Sequence, residues 1–173
     1  AHFGSLGGIR NLATFIEGMK IAVKVRPKIK SDVKVNLYGT LGQDDRTRIM
    51  EFDLGDIFSE KGVCTRTDAL LSMKNSTVLL LVQGEHPISI ETIPSKTYEY
   101  LNTGKTIFAL VHKNQELTSM ICTSGGMVAE VSSPAEISSR LFFILVIFTS
   151  TTFIARLFYL ATKKEYKRNI PPS

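Results

Sequence analysis

Cysteine and histidine are scarce in this chain, and those present are badly placed for metal or redox chemistry. Cys64 and Cys122 lack CxxC spacing, and His2, His86 and His112 are scattered. Neither a disulfide framework nor a cysteine-built zinc site is readable, and a reducing, cytosolic setting is expected. No GxGxxG and no GxxxxGK(S/T) occurs, which disfavours a dinucleotide-dependent dehydrogenase and a P-loop nucleotide hydrolase. Asp and Glu are absent from Ala1–Ile16, so the acidic cluster that a flavodoxin-like or response-regulator-like signalling domain needs at its first strand end is missing. No basic start followed by an apolar core opens the chain, so a secretory signal is not expected; the first residue is Ala1 rather than Met, and a piece of a longer protein is expected. Without repeats, a G-X-Y period or a low-complexity tract, solenoids and fibres are excluded.

What remains suits one packed domain. The 173 residues are 43% apolar and 21% charged, enough for a full-sized core, too short for two domains and too apolar for disorder. Lys and Arg number 21 against 16 Asp and Glu, and they are dispersed except in Lys24–Lys34 and Lys163–Arg168, without interleaved aromatics. Nucleic acid is therefore not expected as a partner, whereas anionic phosphates or the inner face of a membrane suit the surplus.

Short β-branched apolar runs recur at Ala1–Leu6, Val33–Tyr38, Thr77–Val82, Thr106–Val111 and Met127–Val131 and read as strands, with Asp56–Lys61 a weaker sixth. Between them lie helical periodicities at Leu12–Val25, Asp45–Phe52, Thr67–Met73, Lys96–Asn102 and Gln115–Cys122. Strand and helix take turns, and parallel neighbours need such crossovers, so the expectation is a doubly wound α/β domain with a mostly parallel sheet, Rossmann-like, over residues 1–140. Thr65 or Thr67, and Ser95, are expected as helix caps, Pro134 in a first turn, and Gly104 at a left-handed helix end.

Residues 141–173 form a separate apolar segment with a basic tail. Leu141–Ala161 is long enough to cross a bilayer, but Thr149–Thr152 at its middle and Arg156 argue against a span, the arginine costing roughly 3 kcal/mol at a helix centre. A membrane span and two apolar helices broken near Thr149–Thr152 both stay open, with the second expected.

Ligands of open α/β sheets bind beyond the carboxyl ends of the strands. After the first strand, Gly4, Ser5, Gly7 and Gly8 form a glycine-rich turn entering a helix, where backbone N–H groups and a helix dipole attract phosphate and Arg10 adds a forked donor. After the TVLLLV strand, Pro94, Ser95 and Lys96 open a helix with hydroxyl, ammonium and free amides, and Glu99 one turn on can accept from a vicinal diol. Asp44–Asp45 reads as a solvated turn rather than half of a metal pair, and no metal or cofactor is expected.

HFGSL…RN, then YG, then PSKTYEYLNTGKTIFALV together resemble the donor-binding, C-terminal half of a GT-B glycosyltransferase of the family 4, or group 1, type. Most specific is Glu91 separated by seven residues from Glu99, followed by the small-residue turn at Asn102–Lys105 and a strand. The resemblance implies a retaining transferase that uses a nucleotide-diphosphate sugar as donor, in cell-surface polysaccharide or glycolipid synthesis at the cytoplasmic face of a membrane. It also implies a partner N-terminal domain that binds the acceptor, so that this half alone is inactive. Glu99 resembles the glutamate that holds the ribose hydroxyls and Glu91 the one near the donor sugar. Arg10 stands where the family has a diphosphate-gripping Lys, and Ser95 and Lys96 where a helix end meets the same phosphates. Gly39 belongs to the YG turn, and Thr40–Gln43 fits the base-side loop. Two departures stand out: Ser5 replaces an Arg common in the family, and Glu91-Thr92-Ile93-Pro94 replaces its glycine-rich motif. A nucleotide-binding module without turnover is the alternative.

Overall fold

The computed structural model describes residues 1–149. Six strands alternate with helices: β1 (His2–Phe3), α1 (Ala13–Val25), the single turn α2 (Ile29–Asp32), β2 (Val35–Tyr38), α3 (Gln43–Glu51), β3 (Phe58–Gly62), α4 (Arg66–Asn75), β4 (Val78–Val82), α5 (Lys96–Asn102), β5 (Thr106–Val111), α6 (Gln115–Thr123), β6 (Met127–Glu130) and α7 (Pro134–Thr149). A 3₁₀ turn, Pro87–Ile90, interrupts the connection after β4. Every strand pairing is parallel, in two three-stranded sheets ordered β1-β2-β3 and β4-β5-β6. The expected Rossmann-like α/β architecture is what forms.

Side-chain alternation along the central strands explains why both faces are covered. Leu80, Val82, Phe108 and Leu110 point into one core with Phe15, Ile16 and Met19 of α1, Ile49 of α3, and Ile137 and Leu141 of α7. Leu79, Leu81, Ile107, Ala109 and Val111 point the other way, onto Met73 of α4, Tyr100 of α5, and Leu117 and Ile121 of α6. A strand buried on both sides has no polar face, hence the unbroken VLLLV and TIFALV runs. At about 1.5–3 kcal/mol for each fully buried large side chain, these two layers dominate the folding free energy.

The two sheets meet at a seam that is partly side chain. Ala1 N donates to Val78 O and Ala1 O accepts from Leu80 N, both at 2.7 Å. One residue later the backbone ladder stops. His2 Nδ1 lies 2.9 Å from Leu80 O, and Phe3 N donates to the Tyr100 hydroxyl at 3.0 Å. An imidazole and a phenol thus take over the positions of backbone groups, while the other ring nitrogen, His2 Nε2, is buried without a hydrogen-bond partner among the described residues.

Several boundaries differ from those expected. The first strand ends at Phe3 rather than Leu6, because Gly4 leaves the extended region with φ +139°. Thr65 caps α4, accepting from Asp68 N at 3.1 Å, and Gly104 takes the left-handed position after α5 with φ +67°. Ser95 does not cap: its backbone is already helical and its side chain makes no capping bond. Asp45 is not a solvated turn residue; it is buried, and its carboxylate accepts from Leu12 N at 2.9 Å, capping α1 from a different helix. Burial raises its pKa, opposed by that same bond.

The division expected after Arg140 falls inside α7, whose Leu141 and Leu145 join the first core. Among the described residues no helix is long and apolar enough to cross a membrane. Residues 150–161 of the expected apolar segment, most of the expected break at Thr149–Thr152, and the basic tail lie outside the described residues.

His2 gives the seam a pH dependence. Burial pushes its pKa down to about 4, so the fold holds a neutral ring that donates from Nδ1 to Leu80 O. A lowered folded pKa means that the contribution is present above the unfolded value of about 6.5 and lost as pH falls toward 4, about 3 kcal/mol in all. Urea unfolding at pH 7 and pH 4 should show wild type losing about 3 kcal/mol more than His2→Asn. Parallel pH profiles for the two proteins would refute this account.

Candidate functional site

Beyond the carboxyl ends of β1, β2 and β4, three loops come together, and glycine decides how closely. Gly39, after β2, has φ +125°, and a Cβ there would stand 2.4 Å from Gly4 O. Gly84, after β4, would place a Cβ 2.5 Å from Ile9 O and 2.9 Å from its carbonyl carbon. The first turn is therefore held between the second and fourth loops at backbone contact distance. Gly4 N donates to Tyr38 O and Leu6 N to Thr40 O, both at 2.8 Å, which completes the attachment.

Within that turn, Gly7 N donates to Arg10 O at 2.7 Å and Arg10 N to Gly7 O at 3.3 Å. These amides are consumed by the turn itself. Gly8 and Ile9, at the tip, keep amides without acceptors among the described residues, and Gly8 has φ +60°. The Arg10 side chain is exposed and makes no ion pair among the described residues. Its charge reaches inward, since it adds to the depression of the His2 pKa, of which burial is the first cause.

The amino end of α1 was expected to attract phosphate together with the turn. It is already occupied: Leu12 N is bound by Asp45 Oδ2, and Ala13 N donates to Asn11 Oδ1 at 3.1 Å. Asp45 and Asn11 thus take the first two amides of the helix end, and the carboxylate offsets its dipole, which shifts anion attraction toward the tip amides and Arg10.

On the α5 side, Lys96 Nζ donates to Glu99 Oε2 at 2.7 Å, an ion pair one turn apart. Glu91 and Ser95 are exposed, while Pro94 and Lys96 are half-buried. Glu91 closes the 3₁₀ turn, which His86 caps by accepting from Ile88 N at 3.3 Å. Tyr100 fixes α5 to β1: its ring is buried edge-on against Phe3, itself stacked on Tyr38 at 4.5 Å. Burial drives the Tyr100 hydroxyl pKa far above the ordinary phenol value, so it stays protonated.

The structure thus places Gly4, Ser5, Gly7, Gly8, Arg10 and Gly39 in one set of loops, Glu91, Pro94 and Ser95 on the connection after β4, and Lys96 and Glu99 in the first turn of α5. Gly84 and Tyr100 escaped the sequence reading. Gly84 carries no motif of its own, and Tyr100 reads as one more apolar position of a helix. Two clefts of about 590 and 640 Å³ lie outside the glycine-rich turn, one beyond the carboxyl end of β5 and along α6, where Asn114 separates it from the loop of Glu91, and one between β2, β4 and α7.

No family model matches this sequence, and no curated protein matches it. Solved structures do. The C-terminal domain of a group 1 family glycosyl transferase, LpcC of Francisella tularensis, aligns over 96% of this chain and 84% of that one, with 15% identity and a TM-score of 0.61. A glycosyltransferase from Rickettsia africae aligns over 97% of this chain and 42% of its own, with 12% identity and a TM-score of 0.69. HepE of Anabaena in complex with UDP aligns over 96% of this chain and 43% of its own, with 14% identity and a TM-score of 0.64. The fold is that of the C-terminal domain of GT-B glycosyltransferases, and the chain spans less than half the length of the Rickettsia and Anabaena proteins.

Because Gly84 faces backbone rather than a flexible side chain, Gly84→Ala should force the first turn outward. The expected cost is about 1–3 kcal/mol of stability, the range for overpacking. Amide NMR shifts should change at Gly7–Arg10. Unchanged stability and shifts would show that the loops are not in contact in solution.

Proposed function

We propose that this chain is the donor-binding half of a retaining glycosyltransferase of the family 4, or group 1, type, taking a nucleotide-diphosphate sugar. On this reading it works in cell-surface polysaccharide or glycolipid synthesis at the cytoplasmic face of a membrane, with a separate N-terminal domain supplying the acceptor. One arrangement carries the reading. A cation without an ion pair among the described residues, Arg10, and two carboxylates, Glu91 and Glu99, stand beyond the carboxyl ends of adjacent parallel strands, in a fold shared along 96% of this chain with LpcC.

The chemistry follows from charge. When the bond between sugar and nucleoside diphosphate breaks, negative charge grows on the leaving phosphate, and preorganised donors stabilise it. Arg10 presents a guanidinium fork, and the tip amides of Gly8 and Ile9 present fixed dipoles. Lys96 is shared: an arriving diphosphate competes with Glu99 for the ammonium, and the released Glu99 carboxylate then accepts from two ribose hydroxyls. Nucleotide binding and the exchange of this ion pair become one event. Glu91 stands by the donor sugar, with Gly4, Ser5, Gly39, Pro94 and Ser95 lining the path between the loops.

A second reading, a nucleotide-binding module without turnover, draws on two features. Ser5 brings no charge where the family commonly has Arg, and the Lys96–Glu99 pair must be opened before either group serves a ligand.

Titration calorimetry with UDP, UDP-glucose and pyrophosphate tests the site, with ADP and GDP covering other bases. Arg10→Ala should weaken nucleoside diphosphate binding by about 1.5–3 kcal/mol, the value of a charge-assisted bond, with folding unchanged. Glu99→Gln should cost affinity for the nucleotide and little for pyrophosphate. A wild-type chain that binds none of these ligands would overturn the proposal.

A further inference from the structure

Two buried amide side chains form a closed hydrogen-bonded square under the loop that carries Glu91. Gln83, just past β4, donates from Nε2 to Ser89 O and to Thr92 O, both at 2.9 Å. Asn114, just past β5, donates from Nδ2 to the same two carbonyls, at 2.8 and 3.2 Å. Each nitrogen uses both of its protons, and each carbonyl both of its lone pairs. The amide oxygens are engaged as well: Gln83 Oε1 accepts from His112 N at 3.0 Å and Asn114 Oδ1 from Leu117 N at 2.8 Å. Those two bonds decide which end of each amide is nitrogen, since a flipped amide would face a donor with a donor.

Gln83 is 3% exposed and Asn114 2%, so these are amides taken out of water, an arrangement tolerated only when every polar atom is paired. Both follow closely on the paired central strands β4 and β5. Gln83 N donates to Leu110 O at 3.0 Å, extending the β4–β5 ladder, and Asn114 is the amino-terminal cap of α6. What they hold has no sheet of its own, for residues 83–94 contain only the 3₁₀ turn. The anchored carbonyls belong to Ser89 and Thr92, and the two residues between them are Ile90 and Glu91.

We propose that Gln83 and Asn114 are positioning residues, which grip the turn by its carbonyls and thereby fix Glu91 in front of the donor sugar. The inference rests on the proposed nucleotide-sugar reading for the role of Glu91. The grip itself rests on the geometry alone, and two kinds of measurement separate the two. Neither amide touches the ligand, so their effect passes to the sugar end of the donor and leaves the nucleotide end, held by Arg10, Lys96 and Glu99, as it was.

The test uses the full chain with Asn114→Ser, which keeps an oxygen to cap α6 but is too short to reach Ser89 O, and Gln83→Met, which keeps volume and loses the donors. The amides of Ser89 and Glu91 bond within the turn, to His86 O and Ile88 O, so their hydrogen exchange reports its opening. We expect exchange at Ser89 and Glu91 to rise about tenfold or more in each variant, with β4, β5 and α6 unchanged. By calorimetry, UDP affinity should stay within about twofold, while UDP-glucose affinity falls about tenfold toward that of UDP alone. Unchanged exchange at the turn in Asn114→Ser, the milder variant, overturns the grip. Equal losses for UDP and UDP-glucose overturn the positioning role while leaving the nucleotide site standing. If exchange rises as expected but wild type binds neither UDP nor UDP-glucose, the grip is upheld and the donor-sugar role is overturned together with the nucleotide reading.

Discussion

The seam between β1 and β4 is the constraint on which the rest of the structure depends. The two sheets become one surface only if β1 bonds on both sides, yet after Ala1 its backbone makes no further bond to the backbone of β4 among the described residues. His2 and Tyr100 make up the difference, one reaching Leu80 O and the other accepting from Phe3 N. Leaving either group unpaired in this buried setting would cost on the order of 1–3 kcal/mol. Because side chains replace the ladder, the backbone is free to leave the sheet at Gly4, several residues earlier than a full strand would allow. The glycine-rich turn therefore starts low between its neighbours, where Gly39 and Gly84 can meet it.

That early exit shapes the electrostatics of the candidate site. A turn that entered α1 directly would offer a helix amino end to an anion. Here Asp45 reaches across from α3 and takes the first amide of that end, and its raised pKa reflects the cost of burying it. The second helix end is short, and its cation is already paired with Glu99. Of the charges first considered for phosphate, Arg10 is the one left free among the described residues. Arg10 and the exposed Glu91 are then the charges of the unliganded site without an ion pair among the described residues, and on the proposed reading affinity comes from exchanging internal partners for ligand partners. Such exchange favours ligands that offer both an anion for Lys96 and hydroxyls for Glu99. A simple anion satisfies the lysine and strands the carboxylate.

How much of this could be read in the sequence depended on the range of the interaction. Strand and helix alternation, the double-sided burial of VLLLV and TIFALV, the Thr65 cap and the left-handed Gly104 are local, and they were legible because period and turn chemistry act within a few residues. The end of β1 was not, since nothing in HFGSL says that an imidazole and a distant phenol will replace a ladder. Asp45 looked like a surface acid because its partner, Leu12 N, lies 33 residues away. Ser95 has the right chemistry for a cap and the wrong backbone, helical one residue too early. Gln83, Gly84 and Asn114 carried no signal at all, for each acts on a segment brought to it by the parallel sheet. The candidate acids and cations were readable as residue types, while the groups that orient them were not.

The same division separates the floor of the site from its roof. From below, the loops are held at backbone distance by Gly39 and Gly84 and by the paired amides of Gln83 and Asn114, so the donor groups are set before any ligand arrives. From above, Ser5, Gly7, Gly8, Arg10, Glu91 and Ser95 are all exposed among the described residues. Electrostatic stabilisation is weak in open water and strong once water is excluded. On the proposed reading, this half can therefore hold and orient a donor, but the exclusion of water that makes Arg10 effective against a developing phosphate charge has to come from a second surface. The binding groups and the groups that make binding catalytic then belong to different domains, and closing one over the other is the step at which recognition becomes reaction.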